Sequence, residues 1–117
     1  MSYMLLIIEP TGQRATRTEA EGREVYGRMQ RFGEALQARG QLKASESLAS
    51  QASAVRVSTA GEGAKVVDGP FAEAKEMVGG FFLLDCDSLD EAVAIARECP
   101  AAEWATVEVR ALAPCYE

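Results

Sequence analysis

The sequence has 117 residues and a formal net charge of −6 at pH 7. A chain of this length buries one hydrophobic core and not two, so we predict a single domain over residues 1–117. The acidic charge repels phosphate backbones, and the arginines between positions 23 and 39 alternate with glutamates as on a solvated helix face. We therefore expect no nucleic-acid partner.

Histidine is absent, which excludes Ser-His-Asp catalysis, Cys-His catalysis and histidine-bound zinc within one chain. The cysteines match no compact metal-ligand spacing, so we expect no metal and no cofactor. We expect Cys86 and Cys99 to be buried and Cys115 to be exposed. The apolar run from Tyr3 to Ile8 is too short for a membrane span and lacks the features of a secretory signal, which favours a cytoplasmic protein without a membrane partner.

The first part of the chain predicts a strand followed by a long helix. The apolar run SYMLLIIEP, ended by Pro10, is typical of a strand that is buried on both faces or lies centrally in a sheet. Thr18 and Glu21 have the spacing of a capping box at a helix start, and Gly40 is placed to end the helix. Apolar residues recur between them at helical spacing, namely Val25, Met29, Phe32 and Leu36.

The second part predicts a hairpin, a strand, a helix and a last strand. The segment QLKASESLASQAS has no periodicity and is interpreted as a connection. The runs AVRVST and KVVDG predict two short strands joined by the turn AGEGA. The run MVGGFFLLDCD is apolar enough for a central strand, Ser88 and Glu91 predict a helix that Pro100 ends, and EWATVEVRAL alternates as a final strand.

This order predicts an α+β, ferredoxin-like βαββαβ fold, with one antiparallel sheet and two helices on one face. The strands carry more apolar residues than the two helices can cover. The alternating residues that we expect cannot all lie under the helices are Val55, Val57, Phe82, Leu84, Val107 and Val109. A homodimer that packs sheet against sheet would cover the other face.

The stretch VVDGPFAEAKEMVGGFFLLDCDSLDEAVAIARECPAA, followed by TVEVRAL, closely resembles the DGPF family of YCII-related proteins. The resemblance extends over nearly the whole chain, because YMLLI and the long helix fit the same pattern. It implies a dimeric α+β barrel, in which two ferredoxin-like subunits pack their sheets together. Members look like small stand-alone proteins, some of them encoded near extracytoplasmic-function sigma factors, and the family implies no established reaction.

The resemblance suggests a catalytic aspartate and a histidine, of which this sequence has only the aspartate, Asp68. We therefore predict Asp68 as the candidate catalytic base, with Glu73 or Lys75 placing or polarising a substrate. The ligand-binding candidates are Asp68, Glu73, Lys75, Gly79, Gly80 and Tyr26.

Each part of the motif also has a structural interpretation. Asp68 can cap a turn, Gly69 can take a conformation barred to other residues, and Phe71 can anchor the turn to the core. Glu73 and Lys75 suit a solvated charged turn. The glycine pair at 79 and 80 suits a β-bulge or a close approach of another backbone across the dimer.

Three functions are consistent with these residues. The first is a homodimer that binds a small metabolite in a cleft near the D-G-P-F turn. The second is a cofactor-free isomerase, lyase or hydrolase with Asp68 as base, by analogy with similar folds. The third is a protein-interaction module linked to sigma-factor regulation. Whether the protein is an enzyme stays open at this point.

Overall fold

The computed structural model describes residues 1–117 and contains two helices and six strands. Three short 3-10 turns connect some of them, at Arg14–Thr16, Gln51–Ser53 and Pro100–Glu103. In chain order the strands and helices are β1 Ser2–Pro10, α1 Glu19–Ala38, β2 Leu42–Ser47, β3 Val55–Ser58, β4 Lys65–Asp68, β5 Glu76–Asp85, α2 Leu89–Glu98 and β6 Thr106–Ala111.

Four strands form one antiparallel sheet in the order β2-β5-β1-β6, while β3 and β4 pair only with each other. Because β1 and β5 lie in the centre, their apolar runs are in the most buried part of the sheet. The predicted α+β, ferredoxin-like fold is thereby confirmed.

The second strand of this sheet lies where the sequence predicted a connection. Segment 41–53 contains β2, which pairs with β5 through partners such as Ser45 and Phe82. The strand LKASES has no alternating apolar pattern because it is an edge strand, and most of its residues are exposed. The predicted hairpin exists as β3 and β4, but it is outside the four-stranded sheet.

The helix starts follow their capping signals. The Thr18 hydroxyl accepts from the Glu21 backbone N–H, and the Glu21 carboxylate accepts from the Thr18 backbone N–H. The Ser88 hydroxyl accepts from the Glu91 backbone N–H in the same way. Gly40 follows α1 with a φ of +71°, which a residue without Cβ adopts readily. Neither helix has the length and apolar character needed to cross a membrane.

The core lies between the helices and one face of the sheet. Phe32 of α1 meets Phe82 of β5 edge to face, with 5.1 Å between ring centroids. β1 alternates between buried and partly buried side chains, so it is not buried equally on both faces. The buried apolar residues are Tyr3, Leu5, Ile7, Phe32, Leu36, Phe82, Leu84, Cys86, Ala92, Ile95, Ala96, Cys99 and Ala101.

The face of the sheet without helices, which we call the open face, carries its own apolar residues. Strand alternation and register place Met4 beside Leu83 and Leu6 beside Phe81 on this face, all of them only partly buried. The sequence predicted that the helices could not cover all of Phe82, Leu84, Val107 and Val109. This was wrong, because all four lie on the face that the helices cover. Val55 and Val57 are exposed, but they lie on the separate hairpin.

Candidate functional site

A cleft of about 950 Å³ lies between α1 and the helix-facing side of the sheet. Its apolar surface includes Ile7 and Phe82 from the sheet, Val25 and Met29 from α1, and Trp104, which ends the 3-10 turn before β6. This volume is near the upper end of the range typical of small-molecule sites. We call this space the α1 cleft.

A buried ion pair forms one wall of the α1 cleft. The Glu9 side chain at the end of β1 is only 8% exposed, and Arg14 donates to both of its oxygens, from Nη2 at 2.7 Å and from Nε at 3.1 Å. Arg14 Nη1 also donates to the Leu48 carbonyl oxygen at 2.8 Å. The pair therefore fixes the 3-10 turn that precedes α1 against the ends of β1 and β2, in the bidentate geometry that is strongest for an arginine and a carboxylate.

The glycine pair of β5 makes room for this carboxylate. A Cβ atom at Gly79 would lie 1.7 Å from Glu9 Oε1, and one at Gly80 would lie 2.8 Å from the Glu46 carbonyl oxygen. The register between β1 and β5 shifts at this point, since Ile7 pairs with Gly80 and Ile8 pairs with Val78. The expected β-bulge is thus present, and Gly80 also lies close to the backbone of β2 in the same chain.

Arg17 is a cation of the α1 cleft that forms no ion pair. The hydrogen bonds of the capping box lower the pKa of Glu21, and the charge of Arg17 is the least of the causes that lower it. The Arg17 guanidinium lies 5.7 Å from the centroid of the Trp104 ring and makes no ion pair or side-chain hydrogen bond. Arg28 also lies over Trp104, at 5.4 Å, but it donates to Glu103. That hydrogen bond lowers the pKa of Glu103 and raises the pKa of Arg28.

The D-G-P-F turn lies outside the α1 cleft and holds the hairpin in place. A Cβ atom at Gly69 would lie 1.9 Å from the Gln51 carbonyl oxygen, and the Gly69 N–H donates to the Ala54 carbonyl at 2.7 Å. The peptide bond between Gly69 and Pro70 is cis. The ring of Phe71 lies 3.9 Å from the guanidinium carbon of Arg56. The overlap with Gln51 explains why position 69 is a glycine, from the packing of the turn alone.

The predicted site residues separate into two groups. Tyr26, Gly79 and Gly80 line the α1 cleft. Asp68, Glu73 and Lys75 are exposed and do not line it. The Asp68 carboxylate makes no hydrogen bond, and Lys75 is fixed only through its backbone carbonyl, which accepts from the Thr11 N–H at 2.9 Å. The assignment of Asp68 as a base stays a prediction.

The sequence analysis missed Glu9, Arg14 and Arg17. Glu9 follows an apolar strand and precedes a proline, a position that resembles the start of a loop, and both arginines lie in a polar segment without periodicity. The available signal was the alternation of β1, which places Glu9 on the same face as Tyr3, Leu5 and Ile7.

The thiols have the burial that was predicted. Cys86 and Cys99 are buried, Cys115 is exposed, and none forms a disulfide. Burial raises the pKa of Cys99 to about 11 and also raises the pKa of Cys86, to which the nearby charge of Glu91 contributes. The two buried thiols are therefore protonated at neutral pH and poor nucleophiles.

Comparison with known proteins identifies the family. The model of the YCII-related domain matches residues 1–115. The chain belongs to the YCII-related domain family. A stretch of 50 residues is 56% identical to an uncharacterized protein of Rhizobium meliloti (strain 1021), and it covers 41% of this chain and 40% of that relative.

In this YCII-related domain the α1 cleft combines three elements with different chemistry. Its apolar surface can hold a hydrophobic group, and the ion pair of Glu9 and Arg14 is largely neutral as a unit. The guanidinium of Arg17 keeps its donors free, and donors of a planar guanidinium suit a carboxylate or a phosphate. The arrangement suits binding of a small molecule with an apolar part and an acidic part.

Proposed function

We propose that this YCII-related protein is a homodimer that binds a small metabolite in the α1 cleft. The observation that carries the proposal is the cleft itself, about 950 Å³ of space with apolar side chains beside the ion pair of Glu9 and Arg14. This proposal moves the ligand from the D-G-P-F turn to the glycine pair that follows it. Gly79 and Gly80 then serve the site by admitting Glu9 and the edge strand β2.

The open face supports the homodimer. Leu6 and Phe81, and Met4 and Leu83, are cross-strand neighbours on a face that no helix covers. The molecule is flat, with extents of 48 × 42 × 18 Å, so this face is broad relative to the thickness of one subunit. A contiguous apolar surface of this kind is typical of an interface, and a second copy offers a matching one through two-fold symmetry.

A cytoplasmic location is also part of the proposal. The chain has three free thiols and no disulfide, which suits a reducing compartment.

The ligand proposal is tested by thermal denaturation in the presence of a metabolite library. Val25 lines the α1 cleft and Ala35 is an exposed residue of the same helix, so Val25→Phe narrows the cleft and Ala35→Phe is its matched control. A ligand at a hundred times its Kd adds about 2.7 kcal/mol to the unfolding free energy of the wild type. We expect a compound that stabilises the wild type and Ala35→Phe but not Val25→Phe.

Two results would contradict the proposal. One is a library in which no compound stabilises the wild type. The other is a compound that stabilises Val25→Phe as strongly as Ala35→Phe, because that ligand would bind elsewhere.

A protein-interaction role is a second candidate, favoured by the hairpin of β3 and β4. Val57 and Val66 are cross-strand partners on the same face of the hairpin as Val55, and the three are 68%, 65% and 54% exposed. A two-stranded hairpin is marginally stable without further packing, so such a face favours a protein partner. A photo-crosslinking residue at Val57 should give a product heavier than the homodimer in cells, whereas one at exposed Arg97 of α2 should not. Crosslinks within the homodimer alone would contradict this role.

A further inference from the structure

We propose that the ligand of the α1 cleft is an organic acid with one carboxylate and an apolar body, and that Arg17 binds the carboxylate. This inference rests on the proposed function of the cleft and names the chemical class of the ligand. The observation that supports it is that two of the three arginines that line the cleft form ion pairs with carboxylates, whereas Arg17 does not.

Two of the three arginines already have carboxylate partners. Arg14 binds Glu9, and Arg23 donates to Glu19 at 2.8 Å in an exposed pair one helical turn apart. Arg17 lines the same cleft, is partly buried, and has neither an ion pair nor a hydrogen-bond acceptor. Its guanidinium therefore has unused donors at a place where a bound molecule would exclude water.

Trp104 restricts where this guanidinium can lie. The ring centroid is 5.7 Å from Arg17 Cζ, within the range of a cation–π contact, and the backbone carbonyl of Trp104 accepts from the Gln13 amide at 2.7 Å. Because Trp104 also lines the cleft, the contact holds the cation at the wall of the cleft rather than in bulk solvent. Part of the conformational entropy that an arginine loses on binding is then lost before the ligand arrives.

The charges around the cleft favour a single carboxylate over a polyphosphate. Arg17 is the one arginine of the cleft without an ion pair, while Glu34 and Glu46 line the same cleft and also have no ion pair. The net charge of −6 also repels ligands with several negative charges. One planar guanidinium matches one carboxylate in a bidentate pair.

The rest of the cleft favours an apolar body. Ile7, Val25, Met29 and Phe82 form the apolar part of the lining, beside polar residues such as Gln30. A strongly polar body, such as a sugar, would lose its hydrogen bonds with water against these side chains without replacement. An aliphatic or aromatic body would instead bury apolar area at about 25 cal/mol per Å².

The test uses 4-phenylbutyrate and 4-phenylbutanol as probes, which share the same body and differ in the carboxylate. Trp104 is the only tryptophan of the chain, so its fluorescence reports binding in the cleft, and calorimetry gives the Kd independently. Arg17→Gln removes the charge, and Arg23→Gln is the matched control because Arg23 is already paired. Circular dichroism and thermal denaturation check that each variant folds.

We expect 4-phenylbutyrate to bind the wild type with a Kd at least about tenfold lower than that of 4-phenylbutanol, because a charge-assisted hydrogen bond contributes about 1.5–3 kcal/mol. Arg17→Gln should raise the Kd of the acid by about tenfold or more and leave that of the alcohol unchanged, while Arg23→Gln changes neither.

Three results would overturn the assignment of the ligand class. They are equal affinities for acid and alcohol, an acid affinity that Arg17→Gln leaves unchanged, and failure of both probes to bind a protein that binds another compound in the α1 cleft. The last case leaves the proposed function standing. If no compound of any class binds the cleft, the proposed function fails together with this inference.

Discussion

Gly79 leaves the space that the Glu9 carboxylate occupies, because a Cβ atom at position 79 would lie 1.7 Å from the Oε1 atom of Glu9. The contact joins the bulge of β5 to the end of β1 at the wall of the α1 cleft. The glycine at 79 is therefore explained by the carboxylate that it admits, since only a residue without Cβ leaves the space.

Substitution of Gly79 should reveal this dependence. Gly79→Ala should lower the unfolding free energy by about 1–3 kcal/mol, because the Cβ displaces a carboxylate that Arg14 holds on both oxygens. In a Glu9→Ala background the same change should cost clearly less. Urea denaturation of the double-mutant cycle measures both values. Equal costs in the two backgrounds would show that the glycine is needed for another reason.

The buried ion pair should contribute more to stability than an exposed one. Glu9→Gln keeps the shape of the side chain but leaves the Arg14 charge without a carboxylate, and we expect a loss of about 1–3 kcal/mol. We place the value below that of a fully buried pair because the Arg14 side chain is 34% exposed. Glu19→Gln, which removes the exposed partner of Arg23, should cost less than about 0.5 kcal/mol. If urea denaturation gave equal losses for Glu9→Gln and Glu19→Gln, the buried pair would contribute no more than the exposed one.

The pair of Arg28 and Glu103 should make stability depend on acidic pH. The hydrogen bond from Arg28 lowers the pKa of Glu103 below its ordinary value of 4.5, so the pair stabilises the fold above that value and the stabilisation is lost as pH falls through the lowered pKa. The difference in unfolding free energy between wild type and Glu103→Gln should be constant from about pH 7 to 5 and shrink below about 4.5.

Urea denaturation at several pH values checks this expectation. Glu108→Gln is a suitable control, because Glu108 is exposed on β6 and has no ion pair. A difference for Glu103→Gln that persists unchanged at low pH would show that the charge of the pair is not its source.

The three thiols should differ in reactivity. At about pH 8 a disulfide reagent should modify Cys115 at once, because it is exposed, while Cys86 and Cys99 react only as the protein unfolds. The pKa of Cys99, raised to about 11 by burial, leaves almost no thiolate at that pH. The count of modified thiols with and without urea gives the result. Rapid modification of two or three thiols in the native protein would contradict the burial.

The open face should control the oligomeric state. Light scattering should give a mass of about 25 kDa for the wild type, twice the 12.6 kDa of one chain. Leu6→Glu should give the monomer mass, because a charge in an apolar interface has no partner there. Arg97→Glu on exposed α2 should leave the dimer intact. A monomeric wild type, or a dimer that Leu6→Glu does not affect, would remove the open face as the interface.

The sequence predicted the elements whose signals are local. The capping box of Thr18 and Glu21, and the apolar run of β5, depend on residues close together in the chain, and the structure has both. Strand β2 was missed because LKASES is an edge strand, held by pairing with β5 rather than by an apolar pattern of its own.

In the sequence, the site was found only where a glycine or an aromatic residue marked it. Gly79, Gly80 and Tyr26 were predicted to bind a ligand near the D-G-P-F turn, and the structure places them at the α1 cleft instead. Glu9 acquires its role through its ion pair with Arg14. Arg17 acquires its role through its contact with Trp104, which is 87 positions away in the chain. Contacts that arise only on folding leave no pattern in one sequence, whereas the D-G-P-F motif is conspicuous in sequence but lies outside the α1 cleft.

The central claim is that the ligand binds in the α1 cleft and not at the D-G-P-F turn, and amide chemical shifts test it most directly. Wild-type protein labelled with ¹⁵N would be titrated with the compound that stabilises it. We expect the amide signals of Gly79 and Gly80 to shift with saturation, together with the indole signal of Trp104, while those of Asp68 and Gly69 stay unchanged. Saturable shifts confined to Asp68, Gly69 and their neighbours would contradict the claim and return the site to the turn.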